Sequence, residues 1–167
     1  MYSKEHLISA IGNEFKILKH LGNKVEEQYL GHKFSDKQRT IHELMAYLAF
    51  SIEKQVQIIV IGHWEPSIFD NMDALTKTFD YRKWDDLLDT ENEHIVKMIR
   101  SLDDEAMDKE ISVFGKTAER RMFLVDYLLT FFGAYKMQLF LQLKHAGRSE
   151  LGMYNLWSGM DAPQSNS

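Results

Sequence analysis

The 167-residue sequence has no cysteine, which removes a disulfide framework, a thiolate metal site and a thiol nucleophile together. A chain without disulfides suits a reducing compartment, and the cytoplasm is the expected location. Net charge is scarce too: 20 Lys and Arg against 25 Asp and Glu leave −5. That is too small and of the wrong sign to attract nucleic-acid phosphates or anionic lipids, so neither is expected as a partner. The opening MYSKEHLISAIGNEF lacks a basic segment followed by an apolar run, and no signal peptide is expected. The most apolar stretch is cut by Asp126 and Lys136, leaving nine uncharged residues between them, far short of a membrane span. Metal motifs are missing as well, because the seven histidines fall one per segment with no H-x-x-x-H or H-E-x-x-H among them. There is no Gly-rich phosphate loop, nucleophile elbow, internal repeat or low-complexity segment.

What the chain does have is helical periodicity, with 44% hydrophobic residues in a length suited to one domain. The stretch 117–147 organises the rest: Thr117 is a candidate N-cap, Lys144 and His145 suit the negative end of the dipole, and Gly147 supplies a left-handed stop. Its 29 residues from 118 to 146 would span about 43 Å, the height of a small bundle. Ahead of it, Ser3 caps a first helix striped by Leu7, Ile11, Phe15, Leu18, Leu21 and Val25. Ser35 and Gln38 form a candidate capping box for a second helix, whose stripe runs from Ile41 through Leu48 to Ile59 before Gly62 and Pro66 close it. A third helix, beginning near Thr78 or Asp80, turns Trp84, Leu88, Ile95 and Ile99 inward. The connection HWEPSIFDNMDALTKTF is long for a bundle loop, and long loops often border a site. ISVFG is too short to found a sheet and reads as an extended lead into the last helix, while Arg120 and Arg121 suit pairing with the acidic 103–110 turn. These elements predict an all-α, up-and-down four-helix bundle over residues 1–150, with a long crossover between helices 2 and 3. The tail, 151–167, is expected to dock through Tyr154, Leu156 and Trp157 and to stay flexible at its end.

The order of helices, the segment RTIHELMAYLA and the long final helix ending QLFLQLKHAG together resemble the DinB-like superfamily of bacterial four-helix-bundle proteins, over residues from about 3 to 147. Members usually hold a divalent metal, often zinc or nickel, on three histidines. One sits in the second helix in an ELL-x-H-like setting and two in the last as H-x-x-x-H-R-x-Q. In this chain ELMAYLA sets Tyr47 at the first position, and FFGAYKMQ sets Phe131 and Tyr135 at the other two, with Lys136 for the arginine and Gln138 for the glutamine. All three ligand positions are replaced. A phenylalanine cannot ligate, and a neutral tyrosine with a pKa of about 10 is a poor zinc ligand, so no metal or other cofactor is expected at the centre.

Residues four apart share a helix face, so Phe131 and Tyr135 should point together toward Tyr47. Two readings of that cluster stay open: the rings are bulk filling the former site, or Tyr47, Phe131, Tyr135, Gln138, Tyr127 and Lys136 line a pocket for a small apolar or aromatic ligand. A replacement metal site of Glu43, His94 and Asp126 is conceivable, though such collections arise by chance in any bundle. The favoured function is a small-ligand or interaction module that is non-catalytic or at least metal-free, and a homodimer by likeness to relatives. The alternative is a metal-dependent hydrolase or thiol transferase, as relatives are described, working through unfamiliar ligands. An exposed Met and aromatic patch over 153–160 would favour partner binding.

Overall fold

The computed structural model describes residues 3–163, so the last four residues of the tail, where a flexible end is expected, lie outside the described residues. Four long helices make the body: α1 (Lys4–Gly22), α2 (Ile41–Ile61), α4 (Trp84–Ser101) and α6 (Arg120–Ala146). Between them come the short helices α3 (Met72–Lys77) and α5 (Asp104–Asp108), and a hairpin of β1 (Glu110–Val113) and β2 (Lys116–Glu119).

The helix starts follow local chemistry. Ser3 Oγ accepts the His6 N–H at 3.2 Å, as a capping serine should. For α2 the capping box is Thr40 with Glu43, not Ser35 with Gln38: the Glu43 N–H donates to Thr40 Oγ1 at 3.1 Å and the Thr40 N–H to the Glu43 carboxylate at 2.8 Å. Ser35 and Gln38 close a turn of their own, Gln38 N–H to Ser35 carbonyl at 3.1 Å. The third long helix begins at Trp84, behind a short turn over Tyr81–Lys83 whose Arg82 N–H is taken by the Asp80 carboxylate.

The segment 111–115 does found a small sheet. β1 and β2 pair antiparallel with Ile111 opposite Ala118, joined by Phe114 and Gly115, whose φ values are +53° and +74°. A two-residue turn that is left-handed at both positions matches the twist of paired strands. Strands this short hold because Ile111 and Val113 bury their side chains against the bundle. The last helix therefore starts at Arg120, after the sheet, and Thr117 is a strand residue instead of its cap.

Around the bundle, α4 and α6 each touch both α1 and α2, which leaves α1 and α2 facing one another across a diagonal. Lys4 Nζ on the Leu102 carbonyl and Lys19 on Asp89 set α1 and α4 antiparallel. Gln142 on the Arg39 carbonyl and Tyr127 on Gln55 do the same for α6 and α2. His42 against Phe79 near one end, and Glu53 against Glu91 midway, show that α2 and α4 run parallel. The directions are thus up, down, down, up, so the crossover breaks the alternation of a simple up-and-down bundle once. By length and composition α2 is apolar enough to cross a membrane, yet most of that apolar surface is packed into the core.

Arg121 pairs with Asp108 of the acidic turn at 2.8 Å as expected, whereas Arg120 holds that turn through the Ala106 carbonyl, and α2 through the Ile59 carbonyl, instead of through a carboxylate. The tail docks differently from expectation. Leu151, Asn155 and Leu156 are buried, while Tyr154 and Trp157 are 48% and 61% exposed. Tyr154–Ser158 form a single π-helical turn, and side chains around such a turn face different ways, so turning 155 and 156 inward turns their neighbours out.

The tightest joint is between α1 and α4. Trp84 is 1% exposed, its Nε1–H donates to the Leu18 carbonyl at 3.1 Å, and a Cβ on Gly22 would stand 2.0 Å from that nitrogen. Gly22→Ala should therefore cost at least the ~1–3 kcal/mol of an overpacked core, read as a lower urea midpoint. An unchanged midpoint would mean that the indole is not seated there.

Candidate functional site

Tyr47 on α2 meets Phe131 and Tyr135 on α6, with ring centroids 6.1 Å and 5.3 Å from Tyr47 and 4.5 Å between the α6 pair. The contact continues along the groove. Tyr127 lies 6.1 Å from Phe131 and stacks on Phe114 at 4.7 Å and 10°, and Phe114 in turn meets Trp64, which stacks on Phe69. A phenylalanine at φ +53° holds a conformation that costs on the order of 1–3 kcal/mol, and the stack on Tyr127 offsets it. At the other end of this aromatic wall the Arg39 guanidinium lies 4.2 Å from the Tyr47 ring centre, a cation–π contact.

The Tyr47 and Tyr127 hydroxyls stay neutral. Burial, reinforced by the Tyr135 hydroxyl, pushes the Tyr47 phenol well above the usual tyrosine range. Tyr127 is raised by burial and by Tyr135 as well, and its hydroxyl donates to Gln55 Oε1 at 3.0 Å. The fully buried Ser51 hydroxyl, one turn on from Tyr47, lies close enough to favour the ionised phenol but makes no hydrogen bond of full geometry. Two phenols and a phenyl ring do not fit zinc or nickel, which take imidazole, thiolate or carboxylate donors. No chemical step can be derived through a metal at this centre.

The remaining sequence candidates scatter. Lys136 points away from Tyr47, toward α1, where its ammonium pairs with Glu14 at 2.6 Å with only 8% and 16% of the two side chains exposed. It follows Tyr135 by one residue and so faces about 100° away from it. Gln138 is half-buried, and the glutamine engaged near α2 is Gln142, whose Nε2 donates to the Arg39 carbonyl at 2.9 Å. Glu43 is spent in its cap, His94 pairs with Glu53 at 2.8 Å, and Asp126 is exposed on α6. Among the described residues no three His, Asp or Glu side chains are grouped to hold a metal ion.

Open space lies one step along the wall. A cavity of about 390 Å³ sits between the hairpin and α6, lined by Phe114, Ala118, Met122, Phe123 and Tyr127, with the charges of Lys116 and Asp126 also on it.

One buried group was not anticipated. Glu91 on α4 is 7% exposed, and its carboxyl accepts the Glu53 N–H, in the body of α2, at 2.9 Å. Glu91 also lines a cavity of about 250 Å³ with Glu53, Lys54, Asn71 and Leu75. Its trace in the sequence is a charged residue on the inward stripe, between Leu88 and Ile95.

The bundle, with its long crossover and its α2–α6 centre, defines an all-α protein of DinB-like fold. It is similar to the crystal structure of YjoA, a DinB-like protein from Bacillus subtilis, with a TM-score of 0.66 and 20% sequence identity, covering 89% of this chain and 96% of that one. At that identity the likeness speaks for the fold alone. No family model matches the sequence, and no curated protein matches it significantly.

Glu91 makes stability depend on pH. Burial, opposed by the Glu53 amide, lifts its carboxyl from an ordinary 4.5 to about 8. The unfolded chain releases this proton above about 4.5 while the folded chain keeps it until about 8. Its contribution is therefore complete below the lower value and is lost as pH rises toward the upper one, by something on the order of 5 kcal/mol in full. Urea titrations from pH 5 to 8 should show that decline, and Glu91→Gln should flatten it; an identical slope in the variant would assign the decline elsewhere.

Proposed function

We propose that this protein is a non-catalytic module, without a metal at its Tyr47, Phe131 and Tyr135 centre, that takes a small, apolar, ring-bearing ligand in the cavity beside Phe114 and Tyr127. The observation that carries this reading is continuity: Tyr127 belongs both to the 390 Å³ cavity and to the ring contacts that fill positions 47, 131 and 135. Bulk at those three positions favours a closed centre, and the open volume next to it favours a ligand displaced along the wall. A site of this size lies within the range of about 300–1,000 Å³ common for small ligands, and each aromatic pair adds roughly 0.5–1.5 kcal/mol beyond buried area. The hydrolase or thiol-transferase reading needs a Lewis acid at the centre, and the donor set there does not favour one.

Titration with anilinonaphthalene sulfonate, an apolar aryl dye, tests this directly. Saturable binding is expected, and Thr130→Trp, which fills the cavity from an exposed helix position, should weaken it at least tenfold with little change in melting temperature. Undiminished binding in that variant, or no saturable binding at all, would end the reading.

A second reading, association through the tail as a homodimer, is favoured by one observation. Met153, Tyr154, Trp157 and Met160 are 75%, 48%, 61% and 48% exposed within eight residues. Adjacent apolar exposure of this kind is typical of interaction surfaces. Sedimentation should then show a dimer that Trp157→Ala shifts toward monomer, and a wild-type monomer at all concentrations would count against it.

A further inference from the structure

Away from the aromatic wall, two histidines from distant parts of the chain come together. His32 lies in the segment after α1 and His145 in the last turn of α6, yet His32 Nε2 and His145 Nδ1 are 3.0 Å apart, one ring N–H donating to the other's lone pair. We propose that this pair is a two-imidazole site for a divalent first-row transition-metal ion, separate from the centre at Tyr47, Phe131 and Tyr135.

Distance is the first argument. Two nitrogens each about 2.0–2.1 Å from one ion, at angles between a right angle and a tetrahedral one, stand roughly 2.9–3.4 Å apart. The observed spacing already falls within that bite. The ring centroids are only 4.9 Å apart with planes tilted by 35°, closer than a head-on hydrogen bond between two imidazoles would leave them. The nitrogens are therefore bent off the line joining them, and an ion entering beside that line displaces one shared proton without moving the backbone.

Preorganisation is the second. The His32 N–H donates to the Tyr29 carbonyl and its own carbonyl accepts the Ile41 N–H, both at 2.9 Å, so the residue is pinned from either side. His145 is held by its helix. Phe34 packs edge-on against both rings, at 6.1 Å from His32 and 5.3 Å from His145, fixing their planes.

Imidazole suits copper, nickel and zinc, and a pair with no third protein ligand leaves the other positions to water. Cu²⁺ should bind more tightly than Ni²⁺ or Zn²⁺, following the usual order for nitrogen sites. An ion bridging the 31–40 segment to the end of α6 binds the folded chain alone and so raises its melting temperature.

The experiment is calorimetric titration of the full chain, free of any affinity tag, with CuCl₂ and then NiCl₂. One equivalent of Cu²⁺ is expected, with His145→Ala and His32→Gln each weakening it at least tenfold and Tyr135→Phe leaving it unchanged. Circular dichroism of each variant checks that the bundle is intact, and His32→Gln keeps a polar side chain in case His145→Ala loosens the helix end. No binding by the wild type, or equal binding in both histidine variants, overturns the proposal; loss in Tyr135→Phe would return the ion to the aromatic centre and overturn it equally.

Discussion

One indole sets the path of the chain. Trp84 opens α4, hydrogen bonds to the Leu18 carbonyl and fills the space that Gly22 leaves empty, so the first turn of α4 is fastened to the last turn of α1. Burying 150–250 Å² of aromatic surface at about 25 cal/mol per Å² is worth roughly 4–6 kcal/mol, more than any exposed ion pair on this molecule can offer. With α4 starting at that end, the chain leaving α2 must travel the height of the bundle before it can turn, and the segment 62–83 is that journey. α4 then occupies one flank of α2 and leaves the other to α6. Only in that arrangement do Phe131 and Tyr135 arrive opposite Tyr47.

The two flanks of α2 solve a similar problem in a similar way. On one side the half-buried Tyr47 phenol lies beside Ser51, and on the other the Glu91 carboxyl is buried against an amide of α2 itself. In both cases a nearby polar group favours the charged form, and in both burial outweighs it. Tyr47 and Glu91 consequently stay uncharged near neutral pH on the two flanks of α2. That suits a helix whose other inward residues are aliphatic, and it does not suit a cation held at the centre, which would want anionic or imidazole donors.

Much of the fold was legible because it rests on apolar periodicity and end signals. The stripes of α1, α2, α4 and α6 and the Ser3 cap are all written in residues three and four apart. The hairpin was not, since a four-residue strand has no period to speak of and its turn uses Phe114 in a conformation that sequence assigns to Asn or Gly. Tyr47, Phe131 and Tyr135 could be brought together on paper because two share a helix face. Lys136 could not be excluded from them without knowing that Glu14 waits on α1, and the pairing of His32 with His145 depends on a loop path that no local pattern encodes. The buried faces of Leu151, Asn155 and Leu156 were obscured by their aromatic neighbours, whose size suggested burial that the turn geometry denies them.

The diagonal placement of α1 and α2 bears on how the chain can come to order during synthesis. The two helices that emerge first do not pair closely with each other, and each needs α4 or α6 to cover its apolar stripe. A helical hairpin closing over a short loop is thus unavailable as an early unit. Contacts between long helices begin only once α4 is made, with Glu91 reaching the Glu53 amide across 38 residues and Trp84 the Leu18 carbonyl across 66. The entropy of such loop closure grows only slowly with length, but it is spent before α6 has been made, so a nascent chain carries an exposed α2 stripe for longer than a meandering bundle would. The crossover that defines the finished topology therefore also sets when the apolar stripe of α2 is covered.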